Sequence, residues 1–368
     1  MKTKAAVLYA IDQPLVIEEL ELEAPRENEI LIRCVASGIC HSDYSVRDGT
    51  MGLSLPAVLG HEGAGIVEAV GKGVTHVVPG DHVIVSLTPQ CGVCVFCKEG
   101  KPYLCAQMSK GMTKGVQPDG SKRLKNSKGE AIGQLLALGT FSERAVVPAG
   151  TAIKVKANVP LESACLIGCG VTTGVGAALN TVAIKPGDSV AVIGCGGVGL
   201  SIIQGARIAG ATTIIAIDPM AEKRQLAMEV GATHALDPTG ENVVKLVRKM
   251  TGGGVHFAFE ALGRKETIEQ AWAMPRVTGT AVIVGVPRKD TMLDLPVLGF
   301  FGEKHFKGSA YGSSVPSRDI PKYVDLFMSG ELKLDVMITR RIKLEQVNEA
   351  LDQMGRGEGA RSVIGFGG

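Results

Sequence analysis

From residue 1 to about residue 150 the apolar positions fall in short strand-like runs. The opening "MKTKAAVLYAIDQPLVIEE" reads as a first strand, and "EILIRCV", "GAGIVEAVG" and "DHVIVSL" follow, separated by Gly, Pro and Asp. This pattern predicts an irregular β-rich lobe. One polar stretch interrupts it, "SKGMTKGVQPDGSKRLKNSKGEAIG", whose Gly, Lys and Ser content predicts a long exposed loop. After "KPGDS" the pattern changes. Strand "VAVIG", helix "VGLSIIQGARIAG", strand "TTIIAID", helices "AEKRQLAMEVG" and "NVVKLVRKM", strand "VHFAFEAL", helix "ETIEQAWAM" and strand "TAVIVGV" follow in order. Continuous Val/Ile/Ala runs between helical segments are the signature of parallel strands covered on both faces. The expected class is therefore α/β, with a doubly wound parallel sheet over residues 171–312. Residues 1–170 and 313–368 make the β-rich part, because a helix through "IPKYVDLFMSG" and a closing strand "RSVIGFG" lead back to it.

Length agrees with two domains, since 368 residues exceed one ordinary core. Charge adds an exclusion. With 39 Lys+Arg against 37 Asp+Glu and 4% aromatic residues, the chain provides neither phosphate neutralisation nor base stacking, so no nucleic acid and no anionic membrane is expected as partner. No stretch reaches the roughly 18 apolar residues of a spanning helix, and no cleavage-site pattern follows the first strand. The expectation is a soluble, cytoplasmic protein acting on a small molecule. Nine cysteines, an odd number in a compartment that keeps thiols reduced, make disulfides the poorer account of the sulfur.

Two motifs then carry chemistry. In "VAVIGCGGVG" the glycines Gly194, Gly196 and Gly199 form G-x-G-x-x-G straight after a strand and at the start of a helix. There the backbone can approach a pyrophosphate and the helix N-terminus faces it. Asp218 ends the next strand, where an acid binds both ribose hydroxyls and repels a 2′-phosphate, so NAD is expected over NADP. The second motif is Cys91, Cys94, Cys97 and Cys105, spaced C-x2-C-x2-C-x7-C. The last gap is too long for the ferredoxin pattern. Four thiolates saturate a tetrahedral zinc, so this set holds a loop together and does no chemistry. A dispersed set, Cys40, His61 and Cys169, has the composition of a catalytic zinc site with one position left for water or substrate. Taken singly, each of these residues is as easily core filler.

Order and spacing of these residues together resemble the zinc-containing medium-chain alcohol dehydrogenases along essentially the whole chain, to "ARSVIGF" near its end. The resemblance implies a GroES-like β-rich catalytic domain holding both zinc ions, two per chain, and a Rossmann domain for NAD. It implies Cys40, His61 and Cys169 as catalytic zinc ligands, with Glu62 beside the ion and able to exchange with its water. Ser42 matches the hydroxyl that takes the alcohol proton, and Asp43 the partner of the zinc histidine. His41 and Arg361 match pyrophosphate contacts. Thr173, Val198, Val284 and Val286 match the nicotinamide side, Gly197 belongs to the glycine loop, and Lys223 matches a lysine near the adenosine ribose. The implied activity is reversible hydride transfer between a primary alcohol or aldehyde and NAD, in a homodimer whose edge strand would be "HFKGSAYGS".

Departures from the family pattern qualify this. Ser45 stands where many relatives place a relay histidine, which leaves His41 or water to pass the proton on. Ser109 stands where the glutathione-dependent formaldehyde dehydrogenases carry an arginine, so S-(hydroxymethyl)thiol oxidation ranks second. A zinc-ribbon binding protein is the remote third reading. Leu53, Leu87, Leu104, Leu135 and Leu136 align with pocket positions and favour uncharged substrates. Cys34, Cys165 and Cys195 are expected as buried filler, and Trp272 as helix packing.

Overall fold

The computed structural model describes residues 1–111 and 114–367, with backbone alone for 109–111. Met1–Cys169, Val315–Gly330 and Ile338–Gly368 form one compact unit; Gly170–Ser314 and Glu331–Met337 form the other.

In the first unit the alternation of "KTKAAVL" and "VIEELEL" puts one face of each strand inward. Strands Lys2–Leu8, Val16–Leu22, Leu124–Lys125, Ala131–Gln134 and Ala57–Val58 close into a small barrel. A seven-stranded sheet adjoins it in the order Ala152–Val155, His82–Val85, Glu62–Val70, Glu29–Ile39, Arg361–Gly365 and Ile338–Ile342. Its seventh strand, Arg144–Pro148, also pairs with Glu29–Ile39. Leu8, Leu20, Ile30, Ile32, Val58 and Phe141 are buried together in the core. The central strand, Glu29–Ile39, has an antiparallel neighbour on each side, with Gly38 opposite Glu62 and Ile39 opposite Ser362. The closing strand thus returns to the first lobe, as its sequence suggested.

From residue 114 onward, the polar stretch expected to be an exposed loop is not one. Two of the barrel strands lie in it, and Gln117, Arg123 and Asn126 are buried. The reason is that, apart from Gln117 Oε1, these polar groups satisfy one another or the backbone. Arg123 Nε donates to Glu29 Oε2 at 2.8 Å and its Nη2 to Asp119 Oδ2 at 2.8 Å. Gln117 Nε2 donates to Gln134 Oε1 and to the carbonyls of Ala137 and Val146.

The second unit is the parallel sheet. Its six strands run His234–Leu236, Thr213–Ile217, Ser189–Ile193, Val255–Glu260, Pro275–Ile283 and His305–Gly308, all parallel. Numbered along the chain, this is the 3-2-1-4-5-6 order of a dinucleotide-binding fold. The short strand His234–Leu236 was not anticipated, because three residues beginning with a histidine carry no apolar run. A second correction concerns Glu331–Met337, expected with the β-rich part. This segment joins the second unit because the Gln204 side chain bonds both Lys333 N and Lys333 O, and Leu332, Leu334 and Met337 are buried.

Removing one partner of a buried ion pair leaves an uncompensated charge. Glu29→Ala should therefore destabilise the protein by about 3–5 kcal/mol in chemical denaturation, and the paired change Glu29→Leu with Arg123→Met should recover much of that loss.

Candidate active site

The zinc-type set is built at one end of the central strand. Cys40 follows Ile39 directly and His61 precedes Glu62 directly, so the pairing of Gly38 with Glu62 brings the two ligands to the same sheet end. Cys169 arrives after the short helical turns Leu161–Ala164 and Cys165–Gly168. One ligand atom each from Cys40, His61, Glu62 and Cys169 lie within 4.8 Å of one another, all buried. Asp43 fixes the geometry. Its Oδ2 accepts the Cys40 N–H at 3.0 Å, and its Oδ1 accepts from Gly60 N at 2.9 Å and His61 Nδ1 at 3.2 Å. That orientation turns His61 Nε2 toward the thiols, the arrangement in which a carboxylate sets the tautomer of a metal-binding histidine.

Electrostatics follow from burial and these contacts. A hydrogen bond with Cys169 foremost, then, against burial, the hydrogen bond and charge of His61 and the charge of Arg361, hold the Cys40 thiol well below its ordinary range. Burial lowers the His61 pKa, but Asp43 and the Cys40 thiolate outweigh it and raise the imidazole to about 10. Without metal, the site is a thiolate beside an imidazolium. Glu62 is ion-paired with Arg361, both buried. Gly38 permits this pair, since a Cβ there would run into Glu62 Oε2 and approach Arg361 Nη2. Arg361 Nε is buried without a hydrogen-bond partner. Ser42 Oγ lies 3.9 Å from Cys40 Sγ, and His41 Nδ1 lies 3.3 Å from Ser45 Oγ on an exposed face.

The other cysteine set is gathered independently. Cys91, Cys94, Cys97 and Cys105 also place their sulfurs within 4.8 Å of one another. Amide N–H groups of Ala106 and Cys97 draw the Cys94 thiol down to about 6. Both sets fit zinc by donor chemistry: four thiols close one tetrahedron, while two thiols, an imidazole and a carboxylate pinned elsewhere suit an ion with an available position.

The dinucleotide set sits at the carboxyl ends of adjacent parallel strands in the second unit. The loop after Ser189–Ile193 carries Gly194, Gly196 and Gly197, and the helix Gly197–Ile208 begins without a side-chain cap. A Cβ on Gly196 would meet nothing within 4 Å, so the loop and its uncapped amides leave room for an anion. Gly199 packs so closely on the Gly194 carbonyl that only glycine fits. Asp218 is buried; its Oδ2 accepts from Cys195 N at 2.8 Å and its Oδ1 from Met220 N at 2.9 Å. Val198, Thr173 and Lys223 are half-buried on helices Gly197–Ile208, Gly170–Gly176 and Ala221–Glu229. Val284 is buried after Pro275–Ile283, whereas Val286 is exposed.

Sequence reading missed Glu260. It ends the fourth strand and accepts from Leu262 N, Gly263 N and Thr267 Oγ1, fixing the loop whose Leu262 overlies Gly194. An acid closing the apolar run "VHFAFE" was the available signal. Among the aligned pocket leucines, Leu135 and Leu136 belong to the hydrophobic core and Leu104 is exposed. The Ser109 side chain lies outside the described residues.

Comparison with known proteins decides the family. The alcohol dehydrogenase GroES-like domain model matches residues 26–157, and the zinc-binding dehydrogenase model matches residues 197–329. An NDMA-dependent alcohol dehydrogenase of Amycolatopsis methanolica is 42% identical over 99% of both chains. The chain belongs to the zinc-containing medium-chain alcohol dehydrogenases. Solved relatives agree over 100% of both chains: an alcohol dehydrogenase zinc-binding domain protein from Burkholderia ambifaria at 38% identity and TM-score 0.96, and benzyl alcohol dehydrogenase from Acinetobacter calcoaceticus at 32% and 0.95. The chain is thus a zinc alcohol dehydrogenase.

Zinc binding to the metal-free enzyme should release protons, because His61 must give up the proton it holds below about pH 10. An indicator dye should record this release at pH 8 and a smaller one once the pH passes about 10, where His61 no longer contributes and the raised Cys97 thiol still does. Asp43→Ala should weaken zinc binding by about 10–100-fold in chelator competition.

Proposed function

We propose that this dehydrogenase uses NAD and transfers hydride reversibly between a primary alcohol and its aldehyde. The observation that carries the NAD part is Asp218, a buried carboxylate held by two backbone N–H groups at the end of the strand beside the glycine loop. A fixed negative charge there favours ribose hydroxyls over a 2′-phosphate.

Cys40, Cys169 and His61 would hold the catalytic ion, with Glu62 restrained by Arg361, and Cys91, Cys94, Cys97 and Cys105 would hold the structural one. Zinc supplies Lewis-acid polarisation of the alcohol oxygen, and nicotinamide is the hydride acceptor. The chain supplies the remainder. Ser42, on the turn that begins at Cys40, relays the alcohol proton, accepting it as its own hydroxyl proton passes to the next acceptor. His41, in contact with Ser45, is an exposed next stop. The glycine loop and the helix Gly197–Ile208 bind pyrophosphate.

A substrate of uncharged aromatic or aliphatic character is favoured by the apolar Leu53 and Leu87 and by the likeness to a benzyl alcohol dehydrogenase. We further propose a cytoplasmic homodimer, with no nucleic-acid or membrane partner. The edge strand His305–Gly308, beside exposed Val297, Leu298 and Phe301, supports pairing with a second copy. The relative named for NDMA dependence favours a second reading of the turnover, in which free NAD does not by itself close the cycle.

An alcohol screen with NAD alone, NDMA alone and both separates these readings. NADH appearing with NAD alone supports exchange; turnover only with NDMA present supports the second reading, and neither giving turnover overturns both. Ser42→Ala should lower kcat by about 100-fold or more while zinc content stays at two ions per chain, since general acid–base catalysis contributes at that level.

A further inference from the structure

Arg224 and Asp237 lie beside the acid that selects the dinucleotide, and neither the zinc nor the glycine-loop chemistry uses them. Arg224 Nη1 donates to the carbonyls of Asp218 and Pro219, each at 2.8 Å, and meets Asp237 Oδ2 at 3.0 Å. The other Asp237 oxygen accepts from Thr239 N at 2.9 Å and Thr239 Oγ1 at 2.6 Å, so the carboxylate is itself held in place. All of the guanidinium's hydrogen bonds and its ion pair run through Nη1.

An arginine near this strand end is what accommodates a 2′-phosphate in NADP-binding members of this fold class. Phosphate recognition by arginine is strongest when two N–H groups act as a fork. Here one prong is committed to two carbonyls and a carboxylate, and Asp237 cancels the charge. With Asp237 42% exposed, water screens the ion pair, which adds little to stability; the two carbonyl bonds fix where the guanidinium sits.

We infer that Arg224 and Asp237 form a masked 2′-phosphate site: two carbonyls hold the guanidinium by Nη1 and Asp237 cancels its charge, so that Asp218 alone decides which ribose is accepted. This rests on the dinucleotide reading above. Arg224 is the specificity determinant in waiting and Asp237 is its positioning residue. Removing Asp218 alone leaves the Arg224 charge cancelled by Asp237; removing Asp237 as well restores that charge, with Nη1 still on the two carbonyls and Nε and Nη2 left for a phosphate.

Calorimetric binding to the full-length protein tests this with two probes, AMP and adenosine 2′,5′-bisphosphate, which differ at the 2′ position. Asp218→Ser with Asp237→Ala should bind the bisphosphate about ten-fold or more tighter than Asp218→Ser alone, the worth of one charge-assisted hydrogen bond. Adding Arg224→Ala should abolish that gain while AMP affinity holds. Asp218→Ser with Asp237→Asn serves as a second double variant should the first lose its fold. The dinucleotide carried by each purified variant, released by acid and identified by mass, should shift toward the 2′-phosphorylated form only in the double variants. No gain in either double variant, or a gain that survives Arg224→Ala, overturns the inference while leaving the dinucleotide reading intact. Failure of the unaltered protein to bind AMP or to carry any dinucleotide overturns both.

Discussion

Antiparallel pairing of Glu29–Ile39 with Glu62–Val70 is the constraint on which the site depends. Pairing fixes register, and a slip of one residue would turn every side chain to the opposite face. Here the register sets Gly38 opposite Glu62, so Cys40 and His61, far apart in sequence, leave the sheet side by side. Arg361–Gly365 adds the third element, with Ser362 opposite Ile39, so Arg361 enters the same corner. Asp43 then ties the Cys40 amide, the Gly60 amide and the His61 ring to one carboxylate. Hydrogen bonds to an ionised, buried acceptor are among the stronger ones, and each lost partner leaves a desolvated group. Rigidity of the ligand set therefore comes from backbone pairing first and from Asp43 second.

The parallel sheet of the second unit follows a different logic. Its central strands, Ser189–Ile193 and Thr213–Ile217, are buried along nearly their whole length, so their apolar runs are continuous and could be read directly. The glycine loop was equally visible, because close approach of Gly199 to the Gly194 carbonyl admits no other residue. Short pieces were not legible. His234–Leu236 is a strand because the register with Thr213–Ile217 makes it one, not because its own residues insist. Glu331–Met337 sits with this unit through Gln204, a contact no local pattern announces.

The polar stretch in the first unit misled for a physical reason. Residue type predicts exposure only when polar groups lack partners inside. Arg123, Glu29 and Asp119 satisfy one another, and the Nε2 groups of Gln117 and Gln134 donate to nearby carbonyls, leaving Gln117 Oε1 unpartnered, so a segment composed like a loop closes a barrel. The catalytic set shows the converse limit. Its donor types could be named from the sequence, but that Cys40, His61 and Cys169 meet at all was carried by family resemblance. Only the sheet register explains the meeting in structural terms.

Charge balance explains why four potential ligands need not compete. Two thiolates match the charge of a zinc ion, so a third anion bound directly would leave the corner negative in a medium that penalises unpaired charge. Arg361 removes that option by engaging Glu62, and Gly38 lets the pair form where any side chain would block it. Glu62 thus remains next to the ion with its charge already compensated. A zinc ion would either take Cys40, Cys169 and His61, a set that becomes neutral with it, or displace a buried guanidinium. Displacing it would leave Arg361, whose Nε already has no partner, buried without its counter-charge. With zinc held by Cys40, Cys169 and His61, the ion pair would therefore keep Glu62 from filling the fourth position.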